Sequence, residues 1–119
     1  MFIRFATCYV NDQSQALAFY EKLGFEKTMD EEMGTMRWLT VAPPGAPTGL
    51  TLFRDAERAG SGSFVVQVDD INATYTTWTE IGIEFAAKPE MQPWGMMQAL
   101  LDDPDGNRIV LVAMSTPRS

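Results

Sequence analysis

The chain contains no histidine and one cysteine, Cys8. Without an imidazole it lacks the usual general base near neutral pH and the commonest metal ligand. Ser-His-Asp and Cys-His nucleophiles are therefore excluded. A lone cysteine can build neither a thiolate zinc site nor an internal disulfide, which suits a reducing compartment, and the expected location is the cytoplasm. No apolar run approaches the roughly 20 residues of a membrane span. The N-terminus lacks the basic segment and apolar core of a signal peptide. Basic residues are also scarce. Nine Lys and Arg stand against sixteen Asp and Glu, for a net charge of −7, and the nine are scattered. Nucleic-acid binding needs a basic patch, so no nucleic-acid partner is expected, whereas an acidic balance would tolerate a cationic ligand.

What is present is a repeat. "VNDQSQALAFYEKLGFE" (Val10 to Glu26) overlays "VDDINATYTTWTEIGIE" (Val68 to Glu84) without a gap. Asp12 falls on Asp70, Tyr20 on Trp78, Leu23 on Ile81 and Gly24 on Gly82. Asp12 and Asp70 read as helix N-caps, and the two glycines as the residues just past a helix end. Ala16, Leu17, Phe19, Tyr20 and Leu23 recur at helical spacing, as do Ile71, Tyr75, Trp78 and Ile81.

A strand precedes each helix, over Ile3 to Val10 and Ser63 to Val68, and three strand-like runs follow it. They cover Glu26 to Glu32, Met36 to Val41 and Leu50 to Phe53, then Ile83 to Lys88, Trp94 to Leu101 and Arg108 to Val112. "PPGAPTG" and "RDAERAGSG" read as loops, the latter joining the halves. The 119 residues thus read as one α+β domain of two βαβββ modules, at about residues 1–58 and 62–115.

"LLDDPDGNRIVLV" invites a calcium reading through Asp103, Asp105 and Gly106. With Gly106 at the sixth position of an EF-hand loop, the first and twelfth residues are Leu101 and Val112, which carry no ligand oxygen. The stretch is a tight turn before an apolar strand, with Pro104 presetting φ.

The duplicated strand–helix block, together with "QPWGMMQALLDDPDGNRIVLV", resembles the vicinal oxygen chelate superfamily, which includes glyoxalase I, extradiol dioxygenases and bleomycin-resistance proteins. The resemblance covers nearly the whole chain. It implies the glyoxalase/bleomycin-resistance-like fold, with a curved mixed sheet around a cavity that is completed in a homodimer. Metal-using members draw four ligands from fixed strand positions, which fall here on Phe5, Thr51, Ser63 and Val110. None is a competent ligand for a transition metal, so no metal and no cofactor are expected.

Strand alternation separates two faces. Ala6, Cys8, Val10, Leu50 and Leu52 belong to the helix-covered face of the first module, and Phe64, Val66, Val68, Ile109 and Leu111 to that of the second. The opposite face carries the candidate ligand-binding residues. Phe5, Thr7, Tyr9, Trp38, Thr51 and Phe53 come from the first module. Ser63, Gln67, Trp94, Met96, Arg108 and Val110 come from the second. Aromatics mixed with a few hydrogen-bonding groups are what a small-molecule pocket needs, although a half-exposed sheet or dimer contact would look the same. Met36, Thr40 and Gln98 share that face. Cys8 reads as a small buried hydrophobe.

The favoured reading is a non-catalytic binder that sequesters an aromatic, cationic compound such as an antibiotic, with Trp94 stacking on it as the resemblance implies. The alternative is a metal-free enzyme of the lyase or isomerase kind, with Tyr9, Glu90, Asp103 or Asp105 moving a proton and Arg108 as an anion partner. A partner module without a small ligand is a third possibility.

Overall fold

The computed structural model describes residues 1–114. They form β1 (Phe5–Val10), α1 (Gln13–Lys22), β2 (Glu26–Met33), β3 (Met36–Ala42) and β4 (Gly49–Arg54). These are followed by β5 (Ser63–Gln67), α2 (Ile71–Glu80), β6 (Phe85–Met91), β7 (Met96–Asp102) and β8 (Arg108–Met114). The chain divides into two compact units. Met1–Gly62 with Asp103–Asn107 make the first, and Ser63–Asp102 with the chain from Arg108 make the second. Five residues of the second module, the turn between β7 and β8, thus belong to the first unit.

Each unit holds a four-stranded mixed sheet, ordered β1-β4-β3-β2 in the first and β5-β8-β7-β6 in the second. The first strand of each pairs parallel with the last, β1 with β4 and β5 with β8. A parallel pair needs a crossover, and the helix supplies part of it.

The same local chemistry builds both helices. Asp12 is extended at φ −133°, and its carboxylate accepts from the Gln15 amide at 3.0 Å. Asp70, at φ −130°, accepts from the Ala73 amide at 3.0 Å. Both helices end in a Schellman motif. Gly24 donates to the Glu21 carbonyl and Phe25 to that of Tyr20. Gly82 donates likewise to Thr79, and Ile83 to Trp78. The motif requires a left-handed residue, and Gly24 (φ 105°) and Gly82 (φ 95°) adopt it at no steric cost.

Helix spacing predicts the buried face well in α1, where Ala16, Tyr20 and Leu23 are buried. In α2 Ile71 and Trp78 are buried, but Ile81 is 42% exposed. Cys8, Val10, Leu50, Leu52, Ile109 and Leu111 fill the cores as expected. Ala6 does not. It is exposed, and α1 reaches β1 through Tyr20 at Cys8, farther along the strand. Phe64, Val66 and Val68 are half-buried. The hairpin "MDEEMGTM" is a solvated edge, with Glu31 and Glu32 exposed on β2, and charge on an edge strand discourages pairing with another chain.

Candidate functional site

Five expected residues meet in one hollow of the first unit. In the parallel β1–β4 pair Thr7 stands opposite Thr51 and Tyr9 opposite Phe53, so alternation turns all four to one face. Trp38 joins them from β3, two residues before Thr40, the antiparallel partner of Thr51. The cavity holds about 340 Å³, which falls within the range of small-molecule sites. Tyr9 and Phe53 meet edge to face, with ring centres 6.2 Å apart at 78°. The ring quadrupoles favour that arrangement, and it leaves aromatic surface toward the hollow.

Two further lining residues, Asp55 and Arg58, come from the segment that reads in sequence as a connecting loop. The loop is tied down. The Asp55 amide donates to the Val10 carbonyl (3.0 Å) and the Gly60 amide to that of Tyr9 (3.2 Å). The Asp55 carboxylate accepts from the amides of Glu57 (3.1 Å) and Arg58 (3.3 Å), which folds the turn. Gly60, at φ 84°, lies so close to the Asp105 carbonyl that a Cβ there would overlap it. The loop thereby fixes Arg58 over Tyr9. Its guanidinium donates to the Tyr9 hydroxyl at 3.1 Å and sits 5.2 Å from the ring centre, and its Nε lies 3.8 Å from the Asp55 carboxylate. The legible signal was the aspartate after β4, since Asp favours such turns. Nothing in the pattern said that Arg58 would fold back.

Behind this wall runs a buried polar network. Asp103 is 5% exposed. Its carboxylate accepts from the Tyr20 hydroxyl, the Asn107 side-chain amide, and the backbone amides of Asp105 and Asn107, each at 2.9 Å. Asn107 also donates to the Tyr9 carbonyl (2.9 Å) and accepts from the Gly62 amide (2.7 Å). Because Tyr20 spends its proton on Asp103, the Cys8 thiol donates to the tyrosine oxygen at 3.6 Å. Burial, reinforced by Asp103, pushes the Cys8 thiol up to about 12 and the Tyr20 phenol far above its ordinary range. Both stay protonated, so this is a structural network and Cys8 is an inert thiol. Asp103 is thereby a structural residue and is not placed to move a substrate's proton.

The remaining candidates are not part of that hollow. Phe5 is half-buried beneath the Arg4 guanidinium, 5.4 Å from its ring centre. In the second unit Ser63 and Gln67 are exposed on β5, and Met96 and Val110 are half-buried. Arg108 pairs with Asp102 at 2.6 Å. Trp94, expected at the start of a strand, instead occupies the β6–β7 hairpin turn and is 63% exposed. The turn closes through Gly95 (φ 93°), whose amide donates to the Gln92 carbonyl. Thr40 takes the same face as Thr51, but it is fully buried, bonds Thr28 hydroxyl to hydroxyl at 2.6 Å, and does not line the cavity. The second unit has its own hollow of about 520 Å³, bordered by Asp69, Asp70 and Asn72 with Met91, Met97 and Met114, and it contains none of the expected residues.

The donor chemistry does not fit a transition metal. Phe5 and Val110 offer hydrocarbon, and Thr51 and Ser63 offer neutral hydroxyls. Among the described residues no three His, Cys, Asp or Glu side chains converge to hold an ion. Nor, among those residues, is any helix long and apolar enough to cross a membrane.

Comparison with known proteins agrees with this architecture. The family model of the Glyoxalase/Bleomycin resistance protein/Dioxygenase superfamily matches residues 3–111. The chain is similar to the uncharacterized protein YetH of Bacillus subtilis (strain 168), at 38% identity over 109 residues, covering 87% of this chain and 90% of that one. It is similar in structure to a superfamily member from Sphaerobacter thermophilus DSM 20745, at 39% identity and TM-score 0.87, covering 95% and 97% of the two chains. It is also similar to TnmS3, an antibiotic binding protein from Streptomyces sp. CB03234, at 35% identity and TM-score 0.88, covering 97% of each. With its two βαβββ modules and a match along almost its whole length, the chain belongs to the Glyoxalase/Bleomycin resistance protein/Dioxygenase superfamily.

Proposed function

We propose that this protein binds an aromatic small molecule in the hollow of the first unit, sequestering it without a metal ion and without reacting with it. The observation that carries the reading is the convergence of Tyr9, Trp38 and Phe53 with the hydroxyls of Thr7 and Thr51 around about 340 Å³. Ring stacking and burial can hold a planar compound tightly, and a few hydroxyls orient it. The similarity to an antibiotic binding protein supports an antibiotic as the compound and resistance as the role. Metal independence rests on the four ligand-incompetent positions. The expectation of a cationic ligand rests on the net charge of −7 alone.

The binding form is proposed to be a cytoplasmic homodimer. Exposed Met33, Met36 and Val65 give apolar surface for self-association. Within the second unit Ser63, Gln67, Trp94, Met96, Arg108 and Val110 are proposed as ligand-binding residues. One observation favours the enzymatic alternative: the Tyr9 hydroxyl is held by a cation, Arg58, at 3.1 Å.

The test is a thermal-shift and tryptophan-fluorescence screen of aromatic antibiotics with product analysis and metal analysis of the purified protein. Saturable binding that weakens in Tyr9→Ala and Phe53→Ala, with ligand recovered unchanged and no stoichiometric metal, is the expected result. Binding indifferent to both substitutions removes the pocket from the case, and turnover promotes the enzyme.

A further inference from the structure

Phe53 is shared by two hollows of the first unit. One is the aromatic pocket, and the other, also about 340 Å³, is bordered by Gln13, Thr35, Met36, Arg37 and Arg54. Three arginines therefore surround one ring in a chain with only nine basic residues.

Their charges are not equally available. Arg37 is spent, because its guanidinium grips the Asp30 carboxylate with two hydrogen bonds of 2.8 and 2.9 Å and also donates to Ser14. Arg58 is only loosely compensated. Its Nε stands 3.8 Å from Asp55, whose carboxylate already accepts two turn amides, and its remaining contact is with neutral Tyr9. Arg54 donates through Nε to the Asn11 carbonyl at 3.2 Å, and among the described residues no carboxylate lies within ion-pair distance of it. Two cationic forks with donors to spare thus flank the ring that a ligand would stack on. A guanidinium matches the two oxygens of a carboxylate, and it is weakly hydrated, so it gives up water readily for an anion.

We propose that the ligand is an aromatic acid: its ring packs on Tyr9 and Phe53, and its ionised oxygen group is taken by Arg58, with Arg54 adding attraction from the adjoining hollow. This rests on the pocket reading above and replaces the expectation of a cationic compound. The chain's net charge acts at long range and is screened by salt, whereas Arg58 touches the site.

The test is calorimetric titration of three matched probes, naphthalene-2-carboxylate, naphthalene-2-methanol and naphthalene-2-methylammonium, into the wild type, Arg58→Gln and Arg54→Gln, at low and high salt. The wild type should bind the carboxylate about tenfold tighter than the alcohol and should bind the ammonium weakest. High salt should erode the first preference only. Arg58→Gln should abolish the preference, weakening the carboxylate far more than the alcohol, while Arg54→Gln should reduce it about threefold. Both arginines are at the surface, and unchanged thermal unfolding confirms that the variants fold. Equal binding of acid and alcohol, tightest binding of the ammonium, or an acid preference that survives both substitutions overturns the proposal and leaves the aromatic pocket standing. Failure of all three probes to bind overturns the pocket reading with it.

Discussion

Tyr20 and Trp78 occupy the same place in the repeat and solve burial differently. Each is the residue whose carbonyl closes its helix's Schellman motif, and each is nearly inaccessible, at 0% and 8% exposed. Trp78 stacks on Phe85, with ring centres 6.2 Å apart and planes at 23°. Tyr20 brings a hydroxyl into the core, and a buried hydroxyl must be partnered. Asp103 provides the partner, from 83 residues along the chain, and is itself satisfied by Asn107 and two backbone amides. Tyr20 packs its ring too, against Phe19 and Phe25 with ring centres 5.3 and 5.5 Å away. The first module adds to that packing a polar network that also holds the Tyr9 carbonyl of the candidate site. A duplicated pattern fixes the scaffold, and the departures from it carry the individuality.

Removing the carboxylate should break the first unit's solution most severely. Asp103→Ala strands four donors in the interior, and a loss of about 3–5 kcal/mol in urea unfolding is expected. Tyr20→Phe removes one of those donors and leaves Asp103 three partners, so about 1–2 kcal/mol is expected. Combining the two should cost clearly less than their sum, since they share one hydrogen bond. Additive losses would mean that the network is not a unit.

The hollows differ as the aromatic positions do. Phe53→Ala should weaken naphthalene-2-methanol about tenfold in calorimetry, while Met97→Ala in the second unit's methionine-lined hollow should leave that affinity unchanged. The reverse pattern would move the site to the second unit. The network also has a pH signature. The Cys8 thiol is raised from 9.0 to about 12 on folding, mainly by burial, and Tyr20 shifts in the same direction. Their stabilising contribution is complete below about pH 9 and falls as pH rises toward 12, because the unfolded chain releases protons that the folded one retains. Urea midpoints should therefore decline above pH 9, and less steeply in Cys8→Ala; equal slopes would count against the buried thiol. At pH 8 Cys8 should resist thiol reagents until urea unfolds the chain.

Much of this was legible because it is local. Asp12, Gly24, Asp70 and Gly82 announce helix ends through short-range chemistry, and strand alternation placed Thr7, Tyr9, Trp38, Thr51 and Phe53 on one face. Arg58 was hidden because its role depends on a loop folding back onto Tyr9, and the Tyr20–Asp103 bond because it spans most of the chain. Trp94 was misplaced because a Pro-Trp-Gly segment is equally readable as a strand start and as a turn, and the Gly95 conformation decides for the turn. Periodicity says which side of a strand a residue takes. It says nothing of which distant group will meet it.

The smallest expected effect is also the cleanest test of equivalence between the modules. Asp12 and Asp70 cap helices of equal length, at φ values of −133° and −130°, each accepting one amide at 3.0 Å. Both helices lack acidic residues in the first turn, so neither cap has a charged neighbour there to assist it. Asp12→Ala and Asp70→Ala should each cost about 1 kcal/mol in urea unfolding, matching within a few tenths. A much larger loss at Asp12 would show that the first unit's start, which leads from Tyr9 into α1, is held by more than its cap. That would make the two modules unequal even where their geometry coincides.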